Sequence, residues 1–144
     1  MNKKIIVRRA TQYDVEQLLE LNFEFNGCNI NEAEAMNCLI HSNELVAIAL
    51  MDDEPVGFAC AQYYKSFCYP DLYGEITEMY VRQAARRSGV ASLLLSFIEA
   101  ELQLIGITNL KIVTGLENEV AIKVYEKNGY NKKDYQVLNK KLMK

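Results

Sequence analysis

The sequence predicts a mixed α/β fold, an α+β sandwich in which a mostly antiparallel central sheet of about seven strands is flanked by about four helices. Three observations carry that expectation. Short runs rich in β-branched and aromatic residues alternate with longer runs of helical period, in the order strand, two helices, three-strand meander, helix, strand, helix, two strands. Apolar residues recur at Val90, Leu94, Ile98, Leu102 and Ile105, with a second set at Leu93, Phe97, Ala100 and Leu104, which is the spacing of a helix buried over a wide face. The chain has 144 residues, 50% of them hydrophobic, so residues 1–144 are expected to form one domain with a sizeable core.

Ile5 to Ala10 reads as the first strand. Thr11 caps the helix that follows and Asp14 complements its N-terminal dipole, the apolar positions being Val15, Leu18, Leu19 and Phe23. Asn26-Gly27 breaks the pattern, and Asn31 with Glu34 starts a second helix through Met36, Leu39 and Ile40. Glu44 to Met51 and Pro55 to Tyr64 form a hairpin about Asp52-Asp53-Glu54, with Gly57 marking a bulge or close packing. The turn-rich stretch from Cys68 to Gly74 leads into a strand from Glu75 to Val81. After the long helix, ended by Gly106, a strand from Asn109 to Thr114 should run parallel to it through a right-handed crossover. Asn118 suits the N-cap of a helix from Glu119 to Lys127, which stops at Asn128-Gly129. Tyr130 to Asp134 and Tyr135 to Leu142 are expected as a final pair of strands.

Charge and composition exclude several classes of function. Net charge is −3 and no long basic run is present, which argues against nucleic-acid binding; mild acidity suits a cationic partner. The first apolar run has only three residues before Arg8, too short for a signal sequence, and no run reaches membrane-spanning length. A cytoplasmic protein is expected. Cys28, Cys38, Cys60 and Cys68 have no C-x-x-C spacing and His41 is the only histidine, so no metal site is expected and the thiols read as reduced.

The stretch that points to chemistry is Arg86-Arg87-Ser88-Gly89-Val90-Ala91, lying between a strand and a helix. The first N–H groups of a helix lack partners and its N-terminus carries partial positive charge, which makes it an anion site. Gly89 permits close approach of a ligand, Ala91 leaves room, and the two arginines add donors that match phosphate oxygens. Neither usual nucleotide fingerprint occurs in the chain. The pattern R-x-x-G-x-A in this setting resembles the pyrophosphate loop of the GNAT superfamily, the Gcn5-related N-acetyltransferases. Downstream, Asn118, Ala121, Tyr125, Gly129 and Tyr130 are similar to the family's N-x-x-A-x-x-x-Y-x-x-x-G-[FY] motif.

This resemblance implies the GNAT fold, with two strands splayed to admit the cofactor arm, and acetyl-coenzyme A as cofactor. By carry-over, Arg86, Arg87, Ser88, Gly89, Val90, Ala91 and Ser92 surround the pyrophosphate. Met79, Tyr80, Val81, Asn118 and Ala121 meet the coenzyme arm, and Tyr125 protonates the leaving thiolate. Arg86 and Ala91 stand where many members have glutamine and glycine. The loop joining the first two helices frames the acceptor pocket in such proteins, which makes Phe23, Phe25 and Asn26 candidate acceptor contacts. Packing is the competing reading for both phenylalanines. Tyr73 could line the pocket or cover the sheet edge.

A general base is needed to deprotonate the acceptor amine. With unbroken alternation Glu75, Thr77, Met79 and Val81 share one face of their strand and Ile76, Glu78 and Tyr80 the other, so only one glutamate faces the site. Histone-type members carry the base at the position that maps to Glu75, the favoured candidate, whereas a bulge would bring Glu78 round. The implied activity is N-acetyl transfer to a primary amine of an aminoglycoside-like or polyamine-like molecule, or of a peptide. Another acyl group, a hydroxyl acceptor or a non-catalytic acyl-CoA-binding module are the competing readings. The strand-like end of the chain, Gln136 to Leu142, suggests pairing between subunits of a homodimer.

Overall fold

The computed structural model describes residues 3–143. Its elements in chain order are β1 (Ile5–Arg9), α1 (Val15–Asn26), α2 (Glu32–His41), β2 (Leu45–Met51), β3 (Glu54–Lys65), β4 (Leu72–Val81), α3 (Val90–Ile105), β5 (Ile107–Ile112) and α4 (Glu119–Lys127). The strands form one sheet in the order β1-β2-β3-β4-β5, antiparallel except for the parallel pair β4 and β5. Among the described residues no helix is long and apolar enough to cross a membrane.

Local chemistry explains the element ends. The Thr11 hydroxyl accepts from the N–H of Tyr13, and the Asp14 carboxylate accepts from the N–H of Thr11, closing a capping box over a 3₁₀ turn, Gln12–Asp14, that runs into α1. Asn31 caps α2 by accepting from the N–H groups of Ala33 and Glu34. Asp52 and Asp53, at φ 49° and 69°, make the turn with two positive φ angles that suits the twist of a two-residue hairpin. At Gly57 a Cβ would lie 2.7 Å from the carbonyl oxygen of Tyr80, so close packing of β3 on β4 demands glycine.

One face of the sheet is closed by α3, whose Val90, Leu94, Leu95, Ile98 and Leu102 are buried against Ala47, Ala49, Ala59, Ala61 and Ile76. The small alanines let the helix lie close. The other face is covered at one end by α1 and α2, with Leu21 buried on Ile48, Phe58 and Cys60.

The expected final pair of strands does not form. Residues 130–143 contain no helix or strand, and the sheet has five strands rather than seven. Alternation creates a strand only where an edge and a covering layer receive it; here Val137 and Leu138 are 72% and 90% exposed.

Candidate active site

The junction of β4 with α3 is a 3₁₀ turn, Gln83–Ala85, followed by the exposed loop Arg86 to Gly89. Arg87 and Gly89 have φ of 65° and 84°, which turns successive N–H groups into a concavity. No side chain caps α3, so the N–H groups of its first turn are free to meet an anion. A Cβ on Gly89 would meet nothing within 4 Å. The Arg86 Nε donates to the Val81 carbonyl at 2.9 Å, which fixes that side chain to the base of the loop. These features fit a pyrophosphate: an uncapped helix start, open space before it and two arginines at its rim.

The loop lies beside a gap in the sheet. β4 pairs with β5 from Leu72 to Ile76 and no further, so on that side the edge from Thr77 to Val81 has no strand neighbour. Pairing stops at Ile76 because β5 itself ends at Ile112, which leaves that edge of β4 open. Met79 and Val81 pack toward α3, while Tyr80 lies on the face covered by α1.

The register also corrects the expectation that one glutamate alone can face the site. Cys60 opposes Glu78 while the next residue, Ala61, opposes Ile76, leaving Thr77 as a bulge. Its hydroxyl donates to the Cys60 carbonyl at 3.3 Å, replacing part of the interrupted ladder. Glu78 opposite Cys60 and Glu75 opposite Gln62 therefore share one face, the one that carries α1 further along. Glu75 lies in the paired part of β4, 3.6 Å from Lys111 Nζ. Glu78 lies past the last β5 pair and has no cation partner among the described residues. Burial pushes the carboxyl of the neighbouring Glu44 up, with Glu78 adding repulsion, and burial raises the Cys60 thiol as well.

Aromatic side chains border these carboxylates at both ends. Phe25 stacks on Tyr80 with centroids 5.1 Å apart and meets Phe58 edge-on at 6.2 Å, so its packing role is evident. Tyr73 stacks on Tyr64 at 6.0 Å and meets Tyr69 edge-on. Phe23 is 53% exposed and lines an open groove with Leu19, Glu20, Glu24 and Asn29. Asn26 ends α1 with its amide donating to Asn22.

On the α3 side, α4 is latched across the start of the long helix. The Asn128 amide donates to Ser92 Oγ at 3.0 Å and to the Val124 carbonyl, and the Tyr130 hydroxyl donates to Glu99 at 2.7 Å. Tyr125 is half-buried against Tyr130, and burial raises its phenol above the ordinary value. Asn118 precedes α4 as expected, but its side chain donates to Thr114 and caps nothing; Ala121 lies in the first turns of α4, half-buried.

The family model described as Acetyltransferase (GNAT) matches residues 12–130, most of the chain. The chain belongs to the GNAT family. It is an acyltransferase of the acetyl-CoA-dependent kind. No curated protein matches it in sequence. Solved GNAT structures share its fold. An aminoglycoside N-acetyltransferase crystallised with coenzyme A superposes with a TM-score of 0.86 at 19% identity, covering 99% of this chain and 98% of that one. An aminoglycoside acetyltransferase from an uncultured soil metagenomic sample, in complex with trehalose, gives 0.86 at 14% identity over 97% of both chains. A ribosomal-protein-alanine N-acetyltransferase from Brucella melitensis biovar Abortus 2308 gives 0.83 at 15% identity, over 97% of this chain and 100% of that one.

Three site features escaped sequence reasoning. Glu24 accepts from the Tyr80 hydroxyl and from Arg82, whose Nη1 also donates to the Pro55 carbonyl, so one arginine ties α1 and the β2–β3 hairpin to the end of β4. Asn128 was legible only as a helix stop. Glu44, just before β2, carried no motif at all.

Proposed function

We propose that this GNAT chain, read as a single acetyltransferase domain over residues 1–144, transfers an acetyl group to a primary amine of a cationic small molecule, aminoglycoside-like or polyamine-like, by direct transfer in a ternary complex. The observation that carries this reading is the bulge at Thr77, which puts two carboxylates on one open sheet face beside the gap between β4 and β5. Tyrosines at one end of that face and Phe25 with Tyr80 at the other supply π-faces for cationic or ring-shaped acceptors.

Acetyl-CoA supplies the thioester and its thiol leaving group when bound. An alkylammonium with a pKa of about 10.4 must lose a proton first, at a cost of about 4.6 kcal/mol at neutral pH. Glu78 is the better-placed base of the two, since Glu75 is held 3.6 Å from Lys111 Nζ while Glu78 has no cation partner among the described residues. Tyr125, kept protonated by burial, is the candidate proton donor to the departing thiolate. Arg86, Arg87, Ser88, Gly89, Val90, Ala91 and Ser92 would hold the pyrophosphate, and Met79, Tyr80, Val81, Asn118 and Ala121 the rest of the coenzyme. Phe23, Asn26 and Tyr73 remain the acceptor contacts of this reading, with Phe25 as support for the wall. A peptide N-terminus is the second acceptor class, favoured by the structural likeness to a ribosomal-protein-alanine N-acetyltransferase. Four free cysteines support action in the reducing cytoplasm, and we read the protein as a homodimer on the strength of its exposed C-terminal segment.

Calorimetric titration with acetyl-CoA, followed by a panel of amines monitored for released thiol, tests the whole reading. Binding with release for a polyamine, an aminoglycoside or a peptide names the acceptor class. Binding without release from any amine, but with release from an alcohol, would replace the amine by a hydroxyl acceptor. Binding with no release from either class would leave a cofactor-sensing module, and tighter binding of a longer acyl-CoA would change the acyl group.

A further inference from the structure

An asparagine side chain has two N–H donors on its nitrogen and one acceptor oxygen, whereas a serine hydroxyl has one proton and two lone pairs. Those counts decide what happens where α4 meets α3. The Asn128 Nδ2 lies 2.8 Å from the Val124 carbonyl oxygen and 3.0 Å from Ser92 Oγ, in a contact partly buried between the two helices. A carbonyl only accepts, so the amide must turn its nitrogen, not its oxygen, toward that corner. One amide proton then serves Val124 and the other serves Ser92.

Ser92 thus receives a hydrogen bond and keeps its own proton. A serine in a helix commonly returns that proton to a carbonyl three or four residues back, but among the described residues the Ser92 hydroxyl donates to nothing. Its place gives the free proton a use. Leu93, whose N–H donates to the Gly89 carbonyl at 3.1 Å, opens the hydrogen-bond ladder of α3, so the N–H groups of Val90, Ala91 and Ser92 precede it. The Ser92 hydroxyl is one more donor on the turn that carries these.

We infer that Asn128 is a positioning residue for the cofactor: by donating to Ser92 Oγ, it leaves the Ser92 proton to be given to the pyrophosphate of acetyl-CoA. This rests on the reading of the loop from Arg86 to Ala91 as the pyrophosphate site. Asn128 touches no cofactor atom in this role. A carboxylate at position 128 would do the opposite, taking the Ser92 proton for itself and turning the oxygen lone pairs toward the anion.

Calorimetric titration of the protein with coenzyme A, without turnover, reads the effect directly, and helical circular dichroism confirms that each variant is folded. Ser92→Ala should weaken binding on the order of tenfold, as for loss of a hydrogen bond to a charged group. Asn128→Ala should weaken it about threefold, and Asn128→Asp, which nearly keeps the shape, by more than Asn128→Ala. In the Ser92→Ala background Asn128→Ala should cost nothing further, whereas an asparagine that only shapes α4 would cost the same in both backgrounds. Equal losses in the two backgrounds would overturn the inference while leaving the loop reading intact, and so would an Asn128→Asp variant that binds as tightly as the unaltered protein. An affinity untouched by Ser92→Ala would overturn it too, and if Arg87→Ala were equally silent the loop reading would fall with it.

Discussion

Glu75 and Glu78 are three positions apart, and the inserted Thr77 is what lets them point the same way. Glu78→Gln should lower kcat on the order of a hundredfold while leaving acetyl-CoA affinity unchanged, whereas Glu75→Gln should alter kcat by no more than about twofold, as steady-state kinetics would register. The reverse pattern would return the base to Glu75. Tyr125→Phe should lower kcat about tenfold with the same cofactor affinity, because only proton transfer is lost; unchanged turnover would remove the phenol from the reaction. The positions of Tyr125 on α4 and of Gly89 before α3 were legible because a motif fixes their spacing from a helix start. The shared face of the glutamates was not, since a bulge leaves no mark on hydrophobic alternation, and the pairing of Glu75 with Lys111 exists only once β5 lies alongside.

Elements whose ends are set by local side-chain chemistry were read well, and those that need a distant partner were not. The capped starts of the 3₁₀ turn before α1 and of α2 fall where Thr11 and Asn31 place them, and Gly106 ends α3 at φ 100°. The C-terminal strands do not form: Tyr130 docks on Tyr125 and Glu99, but residues 131–143 are exposed, so the alternation there has no covering layer. Arg8 and Asp14 show how a cap becomes a tie between elements: the buried carboxylate receives two guanidinium donors at 2.7 and 2.8 Å from β1 as well as the Thr11 N–H. Arg8 holds the Asp14 carboxyl below its ordinary 3.8, so its stabilisation is present in full above that pH and is lost as pH falls through the lower folded value. Asp14→Asn should therefore cost about 1–3 kcal/mol near neutral pH, and the gap from the unaltered protein should narrow below pH 3.8 in denaturant titrations. A gap independent of pH would mean that shape, not charge, holds the corner.

At the scale of the molecule, the sheet divides the work: α3 seals one face and starts from the glycine loop Arg86 to Gly89, while α1 and α2 leave part of the other face open above the carboxylates. The layered architecture was legible because the Val90–Ile105 periodicity and the hairpin are strong local signals. The extent of each layer was not, because it depends on which strand edges find neighbours. The four cysteines differ in access, with Cys28, Cys38 and Cys68 exposed and Cys60 only 8% exposed under α1, its thiol raised by that burial. An aromatic disulfide reagent added to the native protein should titrate three thiols at once and the fourth only as fast as the chain opens; four equally fast thiols would mean that the face under α1 is accessible. Cys60 is thus a built-in clock for opening of the sheet from its helical cover, and the other three set a constant of three equivalents per chain beneath any colorimetric count of released coenzyme thiol.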